Sequence, residues 1–517
     1  MTDIYINDLL ADFEDEETIT GSYAGTHFGN LAKRKGIKGN THTLPFSQQN
    51  KLIYDGAEVQ GSNSEKPYRR ATYRAEIDGV IVFEGWAVLD EAKEGYEVQA
   101  FAGASDFYNT ISNKKLSDLD LSAYAHIWNE TNIVNSWANT TGYIYAFVEY
   151  GKEIPFSLVP TDYILPQMFF HSLINQIVTD AGYTLHGDVL TNQDYLKQLV
   201  LSNQFPLSIA YGGTWDLATL LDPNLTQSKM WLDFANMYGL QFDINELNGE
   251  IYASYIDHVL FNDPQEWTDK IDNSEKPRKR YRFTEWGQTT NLRYNFDDIC
   301  TQDFKKAVAI DDENLQLEAD LYKSSFYLIQ DADPVLNPDG RAIARTFVTK
   351  PGKGFSGIWR DDLTYQENEN NSVYHNGTYY KPVADSLNQP PPDSDFWEVV
   401  QEKDIWDIKS RPMYGMLTTD VTSTIEINFP TPVLVTRVVN NLGMGWEDLY
   451  PLYYRVFNRI KDRTKRLQPL VILNYSDVNQ LDFTKAKRID NELYIVEEVL
   501  QFKLNRKEST LVDLVRI

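Results

Sequence analysis

Most of the chain alternates apolar and polar positions in short runs that are typical of β-strands. The clearest runs lie at 79–89, 96–101, 143–150, 493–502 and 510–517, and they are rich in β-branched and aromatic residues. A short polar segment separates the last two runs, which predicts an antiparallel hairpin at the end of the sequence. The pattern therefore predicts a mainly β protein.

Three segments have the 3.6-residue apolar spacing of amphipathic helices instead. They are 166–181, 226–238 and 448–466, and Gly182 and Gly239 follow the first two at the position where helices commonly end. The third ends in several arginines and lysines, as the negative end of the helix dipole prefers. We expect the apolar stripes of all three helices to pack in the core.

An α+β unit is predicted between the β-rich parts of the chain. The second predicted helix is followed by apolar runs at 240–244 and 250–253, and Asn248-Gly249 between them is a strong signal for a β-hairpin. A chain of 517 residues is also too long for a single core. The predicted segments are a first β-rich domain at 1–155 completed by 265–300, an α+β domain at 156–264, a β-rich connecting segment at 301–356, a polar insert at 357–401, and a second β-rich domain at 402–517.

The charge balance excludes one class of function. Seventy-five acidic and 48 basic side chains give a net charge of −27, which repels phosphate and excludes sequence-independent nucleic-acid binding over the whole surface. A local basic run remains, comprising Arg278, Lys279, Arg280 and Arg282. Two interpretations stay open for it, a contact with an acidic partner and a solvated strand edge.

Candidate chemistry is sparse. One cysteine, Cys300, excludes an internal disulfide and a thiolate metal cage, and none of the seven histidines has metal-ligand spacing. The chain has no nucleophile elbow, no His-Glu-x-x-His and no phosphate-binding loop. We therefore predict no catalytic residues, no metal and no cofactor. A glycosidase pair remains an alternative, because 75 carboxylates make a sequence search for such a pair uninformative.

Targeting features are also missing from the sequence as given. The start of the chain is acidic instead of basic, and the longest apolar stretches are the size of a strand. We expect a soluble protein without a membrane span that is made in a cytoplasm.

The polar insert 357–401 resembles a small carbohydrate-binding module of the chitin-binding type. The similar features are an aromatic, a valine strand, an Asn-Gly turn into Tyr-Lys, a proline pair and a closing tryptophan. The resemblance implies a three-stranded module whose exposed aromatic faces bind sugar, and the residues concerned are Trp359, Tyr365, Tyr379, Tyr380 and Trp397. The alternative is that these aromatics form the small core of the module. The stretch 367–372 departs from the family, which has a tight turn there.

The rest of the chain resembles the hub proteins of bacteriophage tail tips and baseplates, especially in phages of the Bacteroides and Flavobacterium group. The individual matches are loose, but their order extends over some 400 residues. They are 41–50, 83–87, 118–121, 180–184, 231–234 with 240–242, 266–271, and the terminal hairpin. The insert and the stretch at 300–355 are the departures from the family.

This resemblance implies a non-enzymatic virion protein, assembled in the host cytoplasm. The two β-rich domains would be barrel-like tube domains, and three copies of the chain would form a ring that joins the tail tube to tip or receptor-binding proteins. DNA would pass through the channel without specific binding. The alternatives are a glycan-binding receptor or adhesion protein, and a polysaccharide-acting enzyme with a binding module.

Overall fold

A computed structural model gives the architecture of most of the chain. The described residues are 2–13, 20–29, 31, 38–77, 79–101, 105–148, 158–159, 161, 164–202, 209, 211–245, 248–297, 300, 302–330, 348–349, 354–359, 361, 363–366, 371–376, 378–401, 406–407, 411–419, 425–462, 464–474, 477–478, 481–503 and 508–517. Within them, no helix is both long enough and apolar enough to cross a lipid bilayer.

One sheet of 15 strands unites the two ends of the chain. Its N-terminal strands are Thr2–Ile6, Leu9–Ala11, Thr20–Ala24, Lys38–Leu44, Ala71–Ile77, Val80–Ala92 and Tyr96–Phe101. Its other strands are Gln265–Glu266, Ile271–Asp272, Arg278–Arg280, Arg466–Gln468, Leu470–Ile472, Lys487–Ile489, Glu492–Lys503 and Ser509–Arg516. The halves join where Thr20–Ala24 pairs antiparallel with Glu492–Lys503.

The two halves of this sheet share one apolar core. Ile4, Tyr73 and Val98 from the N-terminal strands pack in the same cluster as Val496 and Leu514 from the C-terminal strands. Because one core collects residues from both halves, the sheet forms a curved half-barrel around it. The prediction of a mainly β protein is confirmed, and its strands form several sheets.

The sequence assigned 1–155 with 265–300 to one β-rich domain and 402–517 to another, whereas strands from all three stretches lie in this one sheet. The short strands within 265–280 pair with the C-terminal strands 466–468, 470–472 and 487–489. Their partners are thus C-terminal strands, a pairing that the sequence did not predict. The reason is that the pairing partners lie some 200 residues further along the chain, where no local pattern can reveal them.

Several of the other sheets contribute residues to a second, larger core. A six-stranded sheet contains Tyr143–Tyr145, Pro166–Phe169, Gln198–Val200, Tyr327–Leu328, Met413–Thr419 and Arg437–Asn440. Three sheets have three strands each: Leu158–Val159, Glu426–Ile427 and Val433–Leu434; Thr184–Gly187, Leu240–Asn245 and Glu250–Tyr255; Gly287–Arg293, Lys306–Ala309 and Gln316–Lys323. Two pairs are His126–Ile127 with Thr214–Trp215, and Val348–Thr349 with Trp406–Asp407.

The described α-helices pack mainly in and around this second core. They are α1 Gln48–Ile53, α2 Ser105–Ser112, α3 Glu130–Ser136, α4 Phe170–Asp180, α5 Gln193–Lys197, α6 Gln227–Met237, α7 Trp446–Tyr453 and α8 Arg455–Lys461. Short 3-10 turns lie at Lys66–Tyr68, Leu116–Asp118, Ser122–Tyr124, Asp188–Thr191, Leu217–Leu220, Ile256–Leu260 and Thr268–Lys270.

The predictions of helices α4 and α6 and of both hairpins are confirmed. The exception is the start of the predicted helix 166–181, because its first four residues form a strand. The predicted helix 448–466 is wrong in its extent, because it is divided at Tyr454 and ends at Lys461. The carboxylate of Asp257 accepts the backbone N–H groups of Arg455 and Val456 at 2.9 Å each. This carboxylate starts α8 as a separate helix.

The second core contains residues from four of the predicted segments. Phe107 and Trp128 from 1–155, Tyr322 from 301–356 and Tyr414 from 402–517 pack with α4 and α6. The mixed α/β part of the protein is therefore larger than the predicted 156–264. Residues 331–347 and 350–353 of the predicted connecting segment lie outside the described residues.

The insert forms a small unit of its own. Gly354–Ile358, Asn371–His375, Thr378–Pro382 and Trp397–Val400 make a four-stranded sheet, and Thr364–Tyr365 pairs with Ser386–Leu387. The sequence predicted three strands, and the additional one, Gly354–Ile358, pairs parallel with Asn371–His375. The divergent loop 367–370 lies outside the described residues.

Candidate functional site

The aromatic residues predicted to bind sugar are mostly enclosed within the insert. Tyr365, Tyr380 and Trp397 are buried around Val373. The Tyr365 and Trp397 rings meet edge to face at 5.2 Å, and the Trp397 indole N–H donates to the Gln389 carbonyl at 2.8 Å. Because a buried ring cannot offer a face to a sugar, this packing supports the core interpretation for these three residues.

The other two aromatics are placed differently. Tyr379 is also buried, with 9% of its surface exposed. Trp359 is only partly buried, and its ring meets His375 edge to face at 5.3 Å. Trp359 is therefore the predicted sugar contact that keeps a ring partly open to solvent.

Replacing Trp397 by Ala is expected to unfold the insert, since loss of a buried tryptophan costs about 3–5 kcal/mol. Hydrogen exchange over 371–400 would measure this loss. Leu387→Ala is a control, because 59% of the Leu387 surface is exposed and little stability should change. The core interpretation would be contradicted if Trp397→Ala lost retention on a polysaccharide while its hydrogen exchange over 371–400 stayed as slow as in the parent. That result would favour sugar binding.

The basic run lies on the edge of the half-barrel sheet. Arg278, Lys279 and Arg280 form a strand whose three residues are all exposed, paired on one side with Arg466–Gln468. None of the three has an ion-pair partner among the described residues. Arg282 differs, because its Nε lies 3.4 Å from the Asp312 carboxylate. Three of the four predicted basic residues therefore lie on one sheet edge, and no described carboxylate neutralises their charge.

The outward face of the N-terminal half of the sheet carries several carboxylates beside aromatic side chains such as Trp86 and Phe101. Along Thr2–Ile6, Ala71–Ile77, Val80–Ala92 and Tyr96–Phe101, residues alternate between the buried core and this face. Asp3, Glu76, Glu84 and Glu97 lie on the outward positions. The Arg74 Nε on the same face is 3.0 Å from Glu76, which neutralises only one of these carboxylates.

A buried carboxylate network lies in the second core. Asp233 of α6 is fully buried and accepts hydrogen bonds from the hydroxyls of Tyr322, Ser324 at 2.9 Å and Tyr414 at 3.1 Å. Burial raises the pKa of Asp233 to about 7, although the three hydroxyl donors oppose this shift. The network ties α6 to two separate sheets.

A second buried carboxylate joins the two ends of the chain. Glu497 accepts from Arg466 at 2.9 Å and from the backbone N–H of Phe28 at 2.9 Å. Burial raises the pKa of Glu497 to about 7, against the opposing effect of the Arg466 guanidinium. The guanidinium also lies over the Phe283 ring at 4.6 Å.

Two buried cations complete this set. The Arg411 guanidinium pairs with Asp297 and lies 5.0 Å from the centre of the Tyr327 ring. The Lys487 ammonium donates to the Gln265 side chain at 2.5 Å, and burial lowers the pKa of Lys487 to about 8. Sequence reasoning missed all four buried groups, because each is surrounded by residues distant in sequence. They tie segments of the fold together and do not open onto a shared site.

No cluster of three or more metal-ligating side chains occurs among the described residues. No protein-family model and no curated protein matches the chain. A solved structure similar to it is the 43 kDa tail protein of prophage MuSo2 from Shewanella oneidensis, with 7% identity and a TM-score of 0.39. The match covers 100% of this chain and 98% of that chain. A TM-score of this size does not establish a shared fold.

Proposed function

We propose that this protein is a structural, non-enzymatic hub of a bacteriophage tail tip or baseplate, present in the virion after assembly in the host cytoplasm. The observation that supports it best is the half-barrel sheet, built from both chain ends, whose outward N-terminal face carries several carboxylates. The ordered series of hub-like segments along the sequence agrees with this role. Three copies of the chain would form a ring between the tail tube and the tip or receptor-binding proteins.

In such a ring, this carboxylate-bearing face would line the channel through which DNA leaves. Asp3, Glu76, Glu84 and Glu97 repel a phosphate backbone, so the polymer would slide past without binding. The net charge of −27 agrees with this lining. The basic strand Arg278–Arg280 would then face an acidic neighbour in the tail, because a lumen lined with it would retain DNA.

The oligomeric state of the purified chain tests this proposal. Mass photometry is expected to give a species about three times the 59.6 kDa chain mass, and negative-stain images should show a ring with a central hole. A protein that stays monomeric at micromolar concentration and cleaves glycans would contradict the hub and favour the polysaccharide-acting alternative.

Charge reversal tests the role of the basic strand. The triple variant Arg278→Glu, Lys279→Glu and Arg280→Glu is expected to lose binding to the tail partner, because like charges placed opposite each other are repulsive. Co-sedimentation with assembled tails would measure this loss. The control reverses three other exposed lysines, Lys66, Lys93 and Lys197, which gives the same net charge. Normal tail incorporation of the first variant would support the solvated-edge interpretation.

A further inference from the structure

A polar cavity of about 390 Å³ opens where four distant parts of the chain meet. Its walls come from the loop before α6 and its first turn, from Asn295, from the turn after Gln316–Lys323, and from Pro412. This volume lies within the range of small-molecule sites. The cavity is separate from the carboxylate-bearing face, the basic strand and the insert.

Backbone hydrogen bonds fix the walls of this cavity. Asn295 N–H donates to the Phe326 carbonyl, and Tyr327 N–H donates to the Pro412 carbonyl, both at 2.8 Å. On one side, the Ser324 hydroxyl donates to the buried Asp233 at 2.9 Å. The cavity is therefore preformed by the fold, which lowers the entropic cost of binding a ligand.

The lining has an excess of positive charge in an otherwise acidic protein. Lys229 and Lys323 are both exposed at its walls, and neither has an ion-pair partner among the described residues. The one carboxylate present, that of Asp222, is buried and already accepts the Asn224 N–H at 2.7 Å. The lining thus carries two lysines and one carboxylate, so the cavity suits an anion.

Neutral polar groups complete the lining. Asn224, Asn295 and Ser325 supply amide and hydroxyl groups that donate and accept hydrogen bonds. An apolar ligand would leave these groups unpaired, which is costly in a binding site. A ligand with one carboxylate and several hydroxyls would use both the lysines and the neutral groups.

From this combination we propose that the cavity binds an acidic saccharide unit, such as a uronic acid, with its carboxylate between Lys229 and Lys323. Its hydroxyls pair with Asn224, Asn295 and Ser325. This site does not depend on the hub role, because the cavity belongs to a single copy of the chain and lies outside the insert.

Ligand-observed NMR on the full-length protein tests the proposal with glucuronate and glucose, which differ only at C6, a carboxylate in the first and a hydroxymethyl group in the second. Glucuronate is expected to bind and glucose to bind about tenfold more weakly or not at all, since the charge contacts are lost. Equal binding of the two sugars, or no binding of glucuronate, would overturn the proposal. This comparison needs no variant.

Two pairs of variants locate the site. Lys229→Met with Lys323→Met is expected to weaken glucuronate binding about tenfold, as loss of two solvent-exposed charge contacts implies. Lys197→Met with Lys276→Met removes the same charge elsewhere and should leave binding unchanged. Retained binding in the first pair would overturn the assignment. Inorganic phosphate competing as strongly as glucuronate would also overturn it, because the site would then recognise any small anion.

Discussion

Replacing Arg466 by Met is expected to destabilise the protein by about 3–5 kcal/mol at pH 8, because it leaves a buried carboxylate without its cation. Glu497, the partner of Arg466, has only 3% of its side chain exposed. The Phe28 N–H is the second group that holds it, at 2.9 Å. Loss of the ion pair should therefore loosen the contact between the N-terminal loop and the C-terminal hairpin.

The effect should depend on pH in a definite direction. The folded-state pKa of Glu497, about 7, is already raised above its ordinary 4.5 by burial, and removing Arg466 raises it further. A raised carboxyl pKa gives stability that is fully present below pH 4.5 and is lost as the pH rises through the folded-state value. The difference between Arg466→Met and the parent should thus be small near pH 4 and largest near pH 8.

Urea denaturation at pH 4, 6 and 8 would measure this difference. The matched control is the double variant Arg466→Met with Glu497→Gln, which removes both charges and keeps an acceptor for the Phe28 N–H. It should recover most of the lost stability, because a buried pair replaced on both sides is often nearly neutral. Equal destabilisation of the single variant at pH 4 and pH 8 would contradict the role assigned to the Glu497 charge.

Features that depend on neighbouring residues could be predicted from the sequence. The hairpins at Asn248-Gly249 and at the end of the sequence, and helices α4 and α6, follow from apolar spacing and from turn or cap residues within a few positions. Such signals are local, so one sequence is enough to reveal them. The mainly β character followed in the same way.

Features that depend on distant residues could not be predicted. The pairing of Thr20–Ala24 with Glu492–Lys503 joins positions more than 470 residues apart, and the division of helix 448–466 depends on Asp257. The insert shows a related limit. Its aromatic spacing is the same for a sugar-binding face and for a small core, and only the burial of Tyr365 and Trp397 distinguishes the two.

The charge of Asp233 should make the second core sensitive to pH. Burial raises the pKa of Asp233 from 3.8 to about 7, so the folded protein retains a proton that the unfolded chain has released. The stability that this group contributes is fully present below pH 3.8 and is lost as the pH rises through about 7. Over this window the loss amounts to roughly 3–5 kcal/mol.

Asp233→Asn should remove this dependence. The amide has no charge to desolvate. It can still exchange hydrogen bonds with the hydroxyls of Tyr322, Ser324 and Tyr414. Relative to the parent, the variant should therefore gain roughly 3–5 kcal/mol between pH 4 and pH 8, measured as the difference of their urea-unfolding free energies.

Asp233→Leu separates the charge from the hydrogen bonds. At pH 5, where the parent carboxyl is protonated in the folded state, leucine leaves three buried hydroxyls without their acceptor. Each costs about 1–3 kcal/mol, so this variant should be at least about 3 kcal/mol less stable than Asp233→Asn. Parallel pH profiles for the parent and Asp233→Asn would mean that Asp233 stays ionised across this range, because the three hydroxyl donors would then outweigh its burial.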